Sequence, residues 1–163
     1  MEQTQKPMPR MGVGPLYAPT VMLISILAWY FDHEGLLPRF SIPALAWPLR
    51  ILGGLMGLGA FVLWARAAFF SQLQTALNEE KLLTTGPFAI VRNPIYAAFM
   101  IGASAIIIYM GNLYLFVLPM LYYAFLAILL RQTEEKWLRA RFGQEFDDYC
   151  RRVNRCIPWF PRK

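Results

Sequence analysis

The chain has 163 residues, of which 57% are hydrophobic and 16% are charged, whereas soluble domains carry roughly 25% charged residues. This composition excludes an ordinary soluble enzyme and predicts an integral membrane protein. The length allows one domain of a few spanning helices, since each needs about 20 residues, and leaves no room for a separate soluble catalytic domain.

The net charge of +6 comes mostly from basic residues that follow the last apolar run. Beside a membrane, such a cluster is typical of a cytoplasmic flank, which makes nucleic-acid binding a poor explanation of the charge. Cys150 and Cys156 lie in this flank, where thiols stay reduced, and the only histidine, His33, is distant in sequence. Two cysteines and a remote histidine do not complete a zinc site, so we expect no metal.

Residues 1–15 are rich in proline and show no periodic pattern of apolar residues, which predicts a flexible cytoplasmic leader. Residues 16–31 predict the first spanning helix, which ends in an aromatic triplet, Trp29 to Phe31, of the kind found at membrane interfaces. The polar triplet Asp32 to Glu34 precedes glycine and proline, which favours a solvated loop over a metal site.

The second apolar run, residues 47–70, predicts another spanning helix with Arg50 and Arg66 near its two ends, where each can reach an interface. Small residues recur along one face of this helix and predict close packing against a neighbouring helix. They are Gly53, Gly57 and Ala60, with Gly54 and Gly59 alongside. Residues 71–83 are more polar and predict a helix at the membrane surface.

The segment from Thr84 to Tyr96 is polar and rich in turns, although long apolar runs lie on both sides of it. Gly86-Pro87 ends any preceding helix, and Pro94 fits the first turn of the next one. We therefore expect Arg92-Asn93 in irregular backbone at a helix N-terminus, where free N–H groups can receive an anionic or carbonyl oxygen. The alternative is a membrane-surface loop, with the arginine on lipid phosphate and Tyr96 as an interfacial anchor.

Two further apolar runs, residues 95–110 and 113–130, are separated only by Gly111-Asn112. So short a connection requires the two predicted helices to run antiparallel. The Arg92 end of one helix therefore returns to the same membrane face as Glu134-Glu135, which follow the other helix. The hairpin alone predicts that these two polar clusters meet.

Pro119 lies inside the fourth run and predicts a kink there that would open a gap towards lipid. Residues 131–163 predict short amphipathic helices near the headgroups, the first of them ending at Gly143. In the second of these helices, spacings of three and four residues place three side chains on one face, where they would cover the site formed by the two polar clusters. These are Phe146, Tyr149 and Val153.

Two motifs, one on each side of the hairpin, resemble those of a known family. Gly-Pro-Phe-(x)3-Arg-Asn-Pro-Ile-Tyr occupies residues 86–96, and Glu-Glu-(x)2-Leu-(x)3-Phe-Gly-(x)5-Tyr-(x)3-Val begins at Glu134. Their order and spacing resemble the isoprenylcysteine carboxyl methyltransferase and phospholipid methyltransferase superfamily of membrane enzymes, over about residues 82–158. Asn93 stands where that family has histidine, and Ala98 stands where it often has glycine.

The resemblance implies methyl transfer from S-adenosylmethionine to a hydrophobic, membrane-embedded acceptor, either an isoprenylcysteine-type carboxylate or a lipid-like oxygen, nitrogen or sulfur nucleophile. It implies catalytic roles for Arg92, Glu134 and Glu135. The residues implied for cofactor binding are Gly86, Pro87, Arg92, Asn93, Pro94, Tyr96, Glu134, Glu135 and Tyr149. Methyl transfer of this kind needs correctly positioned reactants and complementary charges around them, but it needs no metal.

The chemistry of these residues agrees with the resemblance. Arginine can bind the cofactor's carboxylate, a carboxylate can bind its ammonium or ribose hydroxyls, and rings such as Trp137 can cover the adenine or the sulfonium. Adjacent helical residues point about 100° apart, so we expect one of Glu134 and Glu135 to face the site and the other to pair at the surface. The basic residues available for that surface pair are Arg131, Lys136 and Arg139.

Two other classes fit the composition, namely a four-helix membrane scaffold or subunit without activity and a small transporter. Transport is disfavoured because neither residues 95–110 nor residues 113–130 contain an acidic side chain. We therefore predict an all-α integral membrane bundle of about four transmembrane helices, with residues 16–163 as a single domain. Both termini should be cytoplasmic, and in a bacterial cell the membrane would be the inner one.

Overall fold

The computed structural model describes residues 12–69 and 81–160, and within these ranges every regular element is helical. The four long helices among them are α1 (Gly14–His33), α2 (Ala46–Ala68), α3 (Pro94–Met110) and α4 (Val117–Gln132). Two short helices follow, α5 (Glu134–Phe142) and α6 (Gln144–Arg152). Short 3-10 helices occur at Pro43–Leu45, Gly86–Ala89 and Leu113–Phe116. The predicted all-α membrane bundle is confirmed.

Three helical stretches are long and apolar enough to cross a membrane, and they are Gly14–His33, Pro43–Ala68 and Leu113–Phe142. The remaining predicted span, α3, is apolar but has only 17 residues, at the lower end of the roughly 17 to 25 that cross a bilayer. Many large apolar side chains on these helices are exposed, as expected where a helix faces lipid. The described helices thus provide three spans and a shorter fourth.

Small residues allow α2 to pack closely on α3. A Cβ atom at Gly53 would lie 2.8 to 2.9 Å from backbone atoms of Tyr109 and Ala105, so only glycine permits this approach. Ala60 is buried on the same helix, whereas a Cβ atom at Gly54 would meet nothing within 4 Å. The predicted small-residue face is therefore a packing surface.

Hydroxyl groups join α1 to the helical hairpin inside the apolar bundle. Tyr17 donates its hydroxyl to the carbonyl of Tyr122 at 3.0 Å. The Ser25 hydroxyl donates to the carbonyl of Ala103 at 3.2 Å and lies 2.8 Å from the Tyr122 hydroxyl. Such bonds contribute about 1 kcal/mol each between membrane helices. They fix α1 against both α3 and α4.

The connection between α3 and α4 is built on Asn112, which is fully buried. Its amide donates to Asp32 Oδ1 at 2.7 Å and to the carbonyl of Pro38 at 3.0 Å, and its Oδ1 accepts from the Phe40 N–H. The prediction of a solvated loop at Asp32 to Glu34 is therefore wrong for Asp32, which is buried in the last turn of α1. Its partner is 80 residues away, so no local pattern reveals it.

Pro119 does not lie in the interior of its helix. The 3-10 helix Leu113–Phe116 comes first, so Pro119 is the third residue of α4 and falls in its first turn. The missing N–H of a proline costs no intrahelical bond at that position. The reason for the predicted kink, and for the gap attributed to it, is therefore absent.

The predicted leader, residues 1–15, and the predicted surface helix, residues 71–83, fall largely outside the described ranges. The described parts of both differ from the predictions. α1 already begins at Gly14, and residues 81–83 have no helical structure.

Candidate functional site

The antiparallel hairpin of α3 and α4 brings the two polar clusters into contact. Tyr96, in the first turn of α3, donates its hydroxyl to Glu134 Oε1 at 2.7 Å. Arg92 precedes α3, and its Nη2 lies 3.0 Å from Glu135 Oε1. The juxtaposition expected from the two-residue connection is thus present in the structure.

The backbone around Arg92 is irregular, as predicted, and α3 begins at Pro94. The Arg92 N–H donates to the carbonyl of Asn154 at 2.9 Å. Asn93, with a φ of −126°, donates its side-chain amide to the carbonyl of Arg155 at 3.0 Å. The chain after α6 therefore lies along this loop and holds it in place.

Glu135 is buried between two guanidinium groups. Arg155 donates from Nε to Glu135 Oε1 at 2.5 Å and from Nη2 to Oε2 at 2.9 Å, while Arg92 pairs with Oε1. Exposed fractions of the side chains are 8% for Glu135, 8% for Arg92 and 18% for Arg155. The hydrogen bonds to Glu135 raise the pKa of Arg155, so this guanidinium stays protonated at neutral pH.

Arg155 was missed in the sequence analysis. It lies in a segment with neither helical nor strand periodicity, and it is one of several arginines in the basic tail. Its position 20 residues from Glu135 gives no local signal, because the contact depends on the chain turning back after α6.

Glu134 is also buried, but it accepts hydrogen bonds from neutral donors. Oε1 receives the Tyr96 hydroxyl at 2.7 Å and the Val13 N–H at 2.9 Å. A Cβ atom at Gly12, which has a φ of +51°, would lie 2.0 Å from this oxygen, so the chain before α1 contacts the site directly. The end of the predicted flexible leader is thus part of the site.

The expectation that one glutamate of the pair lies at the surface is wrong. Glu134 and Glu135 occupy the first turn of α5, and both are buried. They point about 100° apart, one towards α1 and α3 and the other towards Arg92 and the chain after α6. Two basic residues expected at the surface have other partners, Lys136 with Gln132 and Arg139 with Asp147.

Tyr149 joins α6 to the Gly86–Ala89 turn, since its hydroxyl donates to the carbonyl of Phe88 at 2.6 Å. Its ring is buried with Phe146 and Val153, which confirms that these three residues share one side. Burial raises the pKa of Tyr149, so the hydroxyl remains a donor. A cofactor contact by Tyr149 stays a prediction, and its hydroxyl already has a backbone partner.

Gly86, Pro87 and Trp137 complete the set of predicted residues. Gly86 has a φ of +59° and is exposed, while Pro87 beside it is buried. Trp137 is half-buried, and the Arg141 guanidinium lies 5.3 Å from its ring centroid.

Both cysteines are free thiols close to the charged cluster. The Arg92 Nη1 donates to Cys150 Sγ, and burial raises the pKa of Cys150 although Arg92 opposes the shift. Burial raises the pKa of Cys156 to about 12. Neither is a thiolate at neutral pH, so neither has the properties of a nucleophile. The described residues contain no cluster of three metal-ligating side chains.

An apolar helical bundle with a buried, charged cluster at one end defines a membrane protein whose polar site adjoins the bilayer surface. The chain belongs to the phospholipid methyltransferase family, whose sequence profile matches residues 49–145. Protein-S-isoprenylcysteine O-methyltransferase B of Arabidopsis thaliana is 28% identical over 149 residues, which cover 85% of this chain and 72% of the plant protein. No solved structure matches the chain.

Replacing Glu135 by glutamine should destabilise the protein, because it leaves the buried guanidinium groups of Arg92 and Arg155 without a counter-charge. Breaking a buried ion pair in this way costs about 3 to 5 kcal/mol. We expect a lower Tm and faster amide exchange in the chain after α6. Asp147→Asn is the control, because its pair with Arg139 is about half exposed and is weakened by solvent. Equal, small effects of both substitutions would contradict this view of Glu135.

Proposed function

We propose that the protein transfers a methyl group from S-adenosylmethionine to a hydrophobic acceptor held in the membrane. The observation that carries the proposal is the pattern of charge in the site. Membership in the phospholipid methyltransferase family supports it, as does the similarity to a plant isoprenylcysteine O-methyltransferase.

The amino-acid end of S-adenosylmethionine carries one carboxylate and one ammonium group. On the basic side of the site, Arg92 and Arg155 bring two positive charges against the single carboxylate of Glu135. On the acidic side, Glu134 accepts from neutral donors, among them the Tyr96 hydroxyl. A surplus of positive charge thus lies beside a carboxylate bound by uncharged groups, an arrangement that complements a zwitterion.

The Arg92 side chain provides a second argument. Its Nε is buried and has no hydrogen-bond partner in the part of the chain that the structure describes. A buried donor without a partner costs about 1 to 3 kcal/mol, and more when it is charged. A ligand carboxylate would remove that cost. We therefore assign the cofactor's carboxylate to Arg92 and its ammonium to Glu134.

The other residues shape or support this site. Arg155 positions Glu135, which in turn orients the Arg92 guanidinium. The Tyr96 hydroxyl fixes the Glu134 carboxylate in the same way. The loop residues that border the cofactor in this proposal are Gly86, Pro87, Asn93 and Pro94, and Tyr149 holds their turn through the carbonyl of Phe88.

The bound cofactor would supply an activated methyl group on its sulfonium, open to displacement by a nucleophile. The contribution of the protein is to orient the two reactants and to present fixed charges in a region that excludes water. Both charged ends of the cluster are preorganised by contacts within the chain.

The location of the site indicates the class of acceptor. The charged cluster lies at the end of the apolar α3–α4 hairpin, so a hydrophobic acceptor can approach it from the bilayer. Candidate acceptors are an isoprenylcysteine-type carboxylate and a lipid-like oxygen, nitrogen or sulfur nucleophile. We assign this end of the bundle, together with both termini, to the cytoplasmic face, because basic residues concentrate there.

Arg92→Leu and Glu134→Gln should each weaken the binding of S-adenosylhomocysteine. Each removes a charge-assisted contact of roughly 1.5 to 3 kcal/mol, which corresponds to about a ten- to hundred-fold loss of affinity. Arg92→Leu should still fold, because Glu135 keeps its bonds to Arg155. Calorimetric titration of the detergent-solubilised variants measures the effect. The control is Glu145→Gln, an exposed acid in α6. Unchanged affinity in both folded site variants would contradict the assignment.

Methyl transfer should be faster to acceptors with longer hydrocarbon chains. A series of N-acetylcysteine thioethers with one, two or three isoprene units keeps the carboxylate constant while the membrane partitioning increases. A phosphatidylethanolamine tests the nitrogen acceptors in parallel. Transfer of a radiolabelled methyl group to each compound in proteoliposomes gives the rates. If the most water-soluble member reacts fastest, an approach from the bilayer is wrong.

A further inference from the structure

A groove lies between α1, α2 and α3, towards the end of the bundle opposite the charged cluster. This groove is apolar and has a volume of about 360 Å³. Gly57, Gly102 and Ile106 line it, together with the rings of Trp29 and Tyr109. The small residues of the two packed helices leave this space, because neither glycine has a side chain to fill it. A volume above about 300 Å³ is in the range of ligand pockets.

A smaller polar pocket of about 140 Å³ adjoins the apolar groove. The linings of the two spaces share Trp29 and Tyr109, so the spaces lie next to each other. The polar residues that line the polar pocket are Arg39, Arg50, Asp32 and His33. The apolar groove thus adjoins a pocket lined by two arginines.

The charge of the polar pocket is positive. Asp32 accepts from the Asn112 amide at 2.7 Å and lies 3.7 Å from Arg39 Nη1, so its charge is already matched. The Arg50 guanidinium lies 5.5 Å from the Trp47 ring centroid and pairs with no acid among residues 12–69 and 81–160. The Arg39 side chain is 53% exposed. Arg39 Nη2 also donates to the carbonyl of Met110 at 3.4 Å, which leaves its charge unchanged. Two arginines against one carboxylate give the pocket a net positive charge that an anion would balance.

We propose that this composite groove binds one anionic phospholipid, with its phosphate at Arg39 and Arg50 and an acyl chain along the apolar part. Guanidinium groups match phosphate oxygens with paired hydrogen bonds. The occupant is a lipid rather than a soluble anion, because the apolar groove lies next to the cationic pocket on membrane helices. It is distinct from the methyl acceptor, because Tyr109 and Tyr96 lie roughly 20 Å apart along α3.

Native mass spectrometry of the full chain in detergent tests the cationic part. Phosphatidylglycerol and phosphatidylcholine with identical acyl chains are added in equal amounts, and we expect preferential retention of phosphatidylglycerol. Arg50→Gln should reduce that preference about tenfold, the effect of one charge-assisted contact. Arg66→Gln is the matched control, since Arg66 is an exposed arginine near the other end of α2. An unchanged preference in Arg50→Gln, or an equal loss in Arg66→Gln, would overturn the proposal.

A second pair of variants tests the apolar part. Gly57→Val should lower the amount of phosphatidylglycerol retained, because the new side chain enters the groove, where a Cβ atom meets only the Ala105 methyl at 3.9 Å. Gly54→Val has the same helix propensity, and a Cβ atom there meets nothing within 4 Å, so retention should be unchanged. Equal retention in both variants would overturn the placement of the acyl chain. Inorganic phosphate that displaces the lipid completely at millimolar concentration would show a soluble-anion site instead.

Discussion

Glu135, buried between Arg92 and Arg155, is the contact on which the charged end of the molecule depends. Burying three ionised groups is costly, and the cost is offset only where the geometry is good and the donors are matched, as in the two-pronged bond from Arg155. This one carboxylate joins the loop before α3, the first turn of α5 and the chain after α6. These segments are distant in sequence, and without the carboxylate the guanidinium groups would repel one another.

The helix is interrupted between α4 and α5, which allows two adjacent glutamates to contact different partners. Thr133, with φ of −122° and ψ of −87°, interrupts the helix and makes Glu134 and Glu135 the first residues of α5. Acidic side chains are favourable in a first turn, where free N–H groups carry partial positive charge. Their divergence of about 100° then directs one carboxylate to Tyr96 and the other to Arg92.

The sequence predicted the features that depend on apolar runs and short connections. The two-residue turn at Gly111-Asn112 was sufficient to place the Arg92 loop beside Glu134 and Glu135. What could not be predicted were contacts between polar residues far apart in the chain. Arg155 lies in a segment without periodicity, and the burial of Asp32 depends on an amide 80 residues away.

In the proposed function, the charged cluster binds the amino-acid end of S-adenosylmethionine. The most direct measurement compares the affinities of the wild-type protein for S-adenosylhomocysteine and for 5′-methylthioadenosine, which keeps the adenosine and the sulfur but lacks the ammonium and the carboxylate. Loss of two charge-assisted contacts, each worth at least about 1.5 kcal/mol, predicts binding of the truncated ligand at least about a hundredfold weaker. Equal affinities for the two ligands would show that the charged cluster does not bind the amino-acid end.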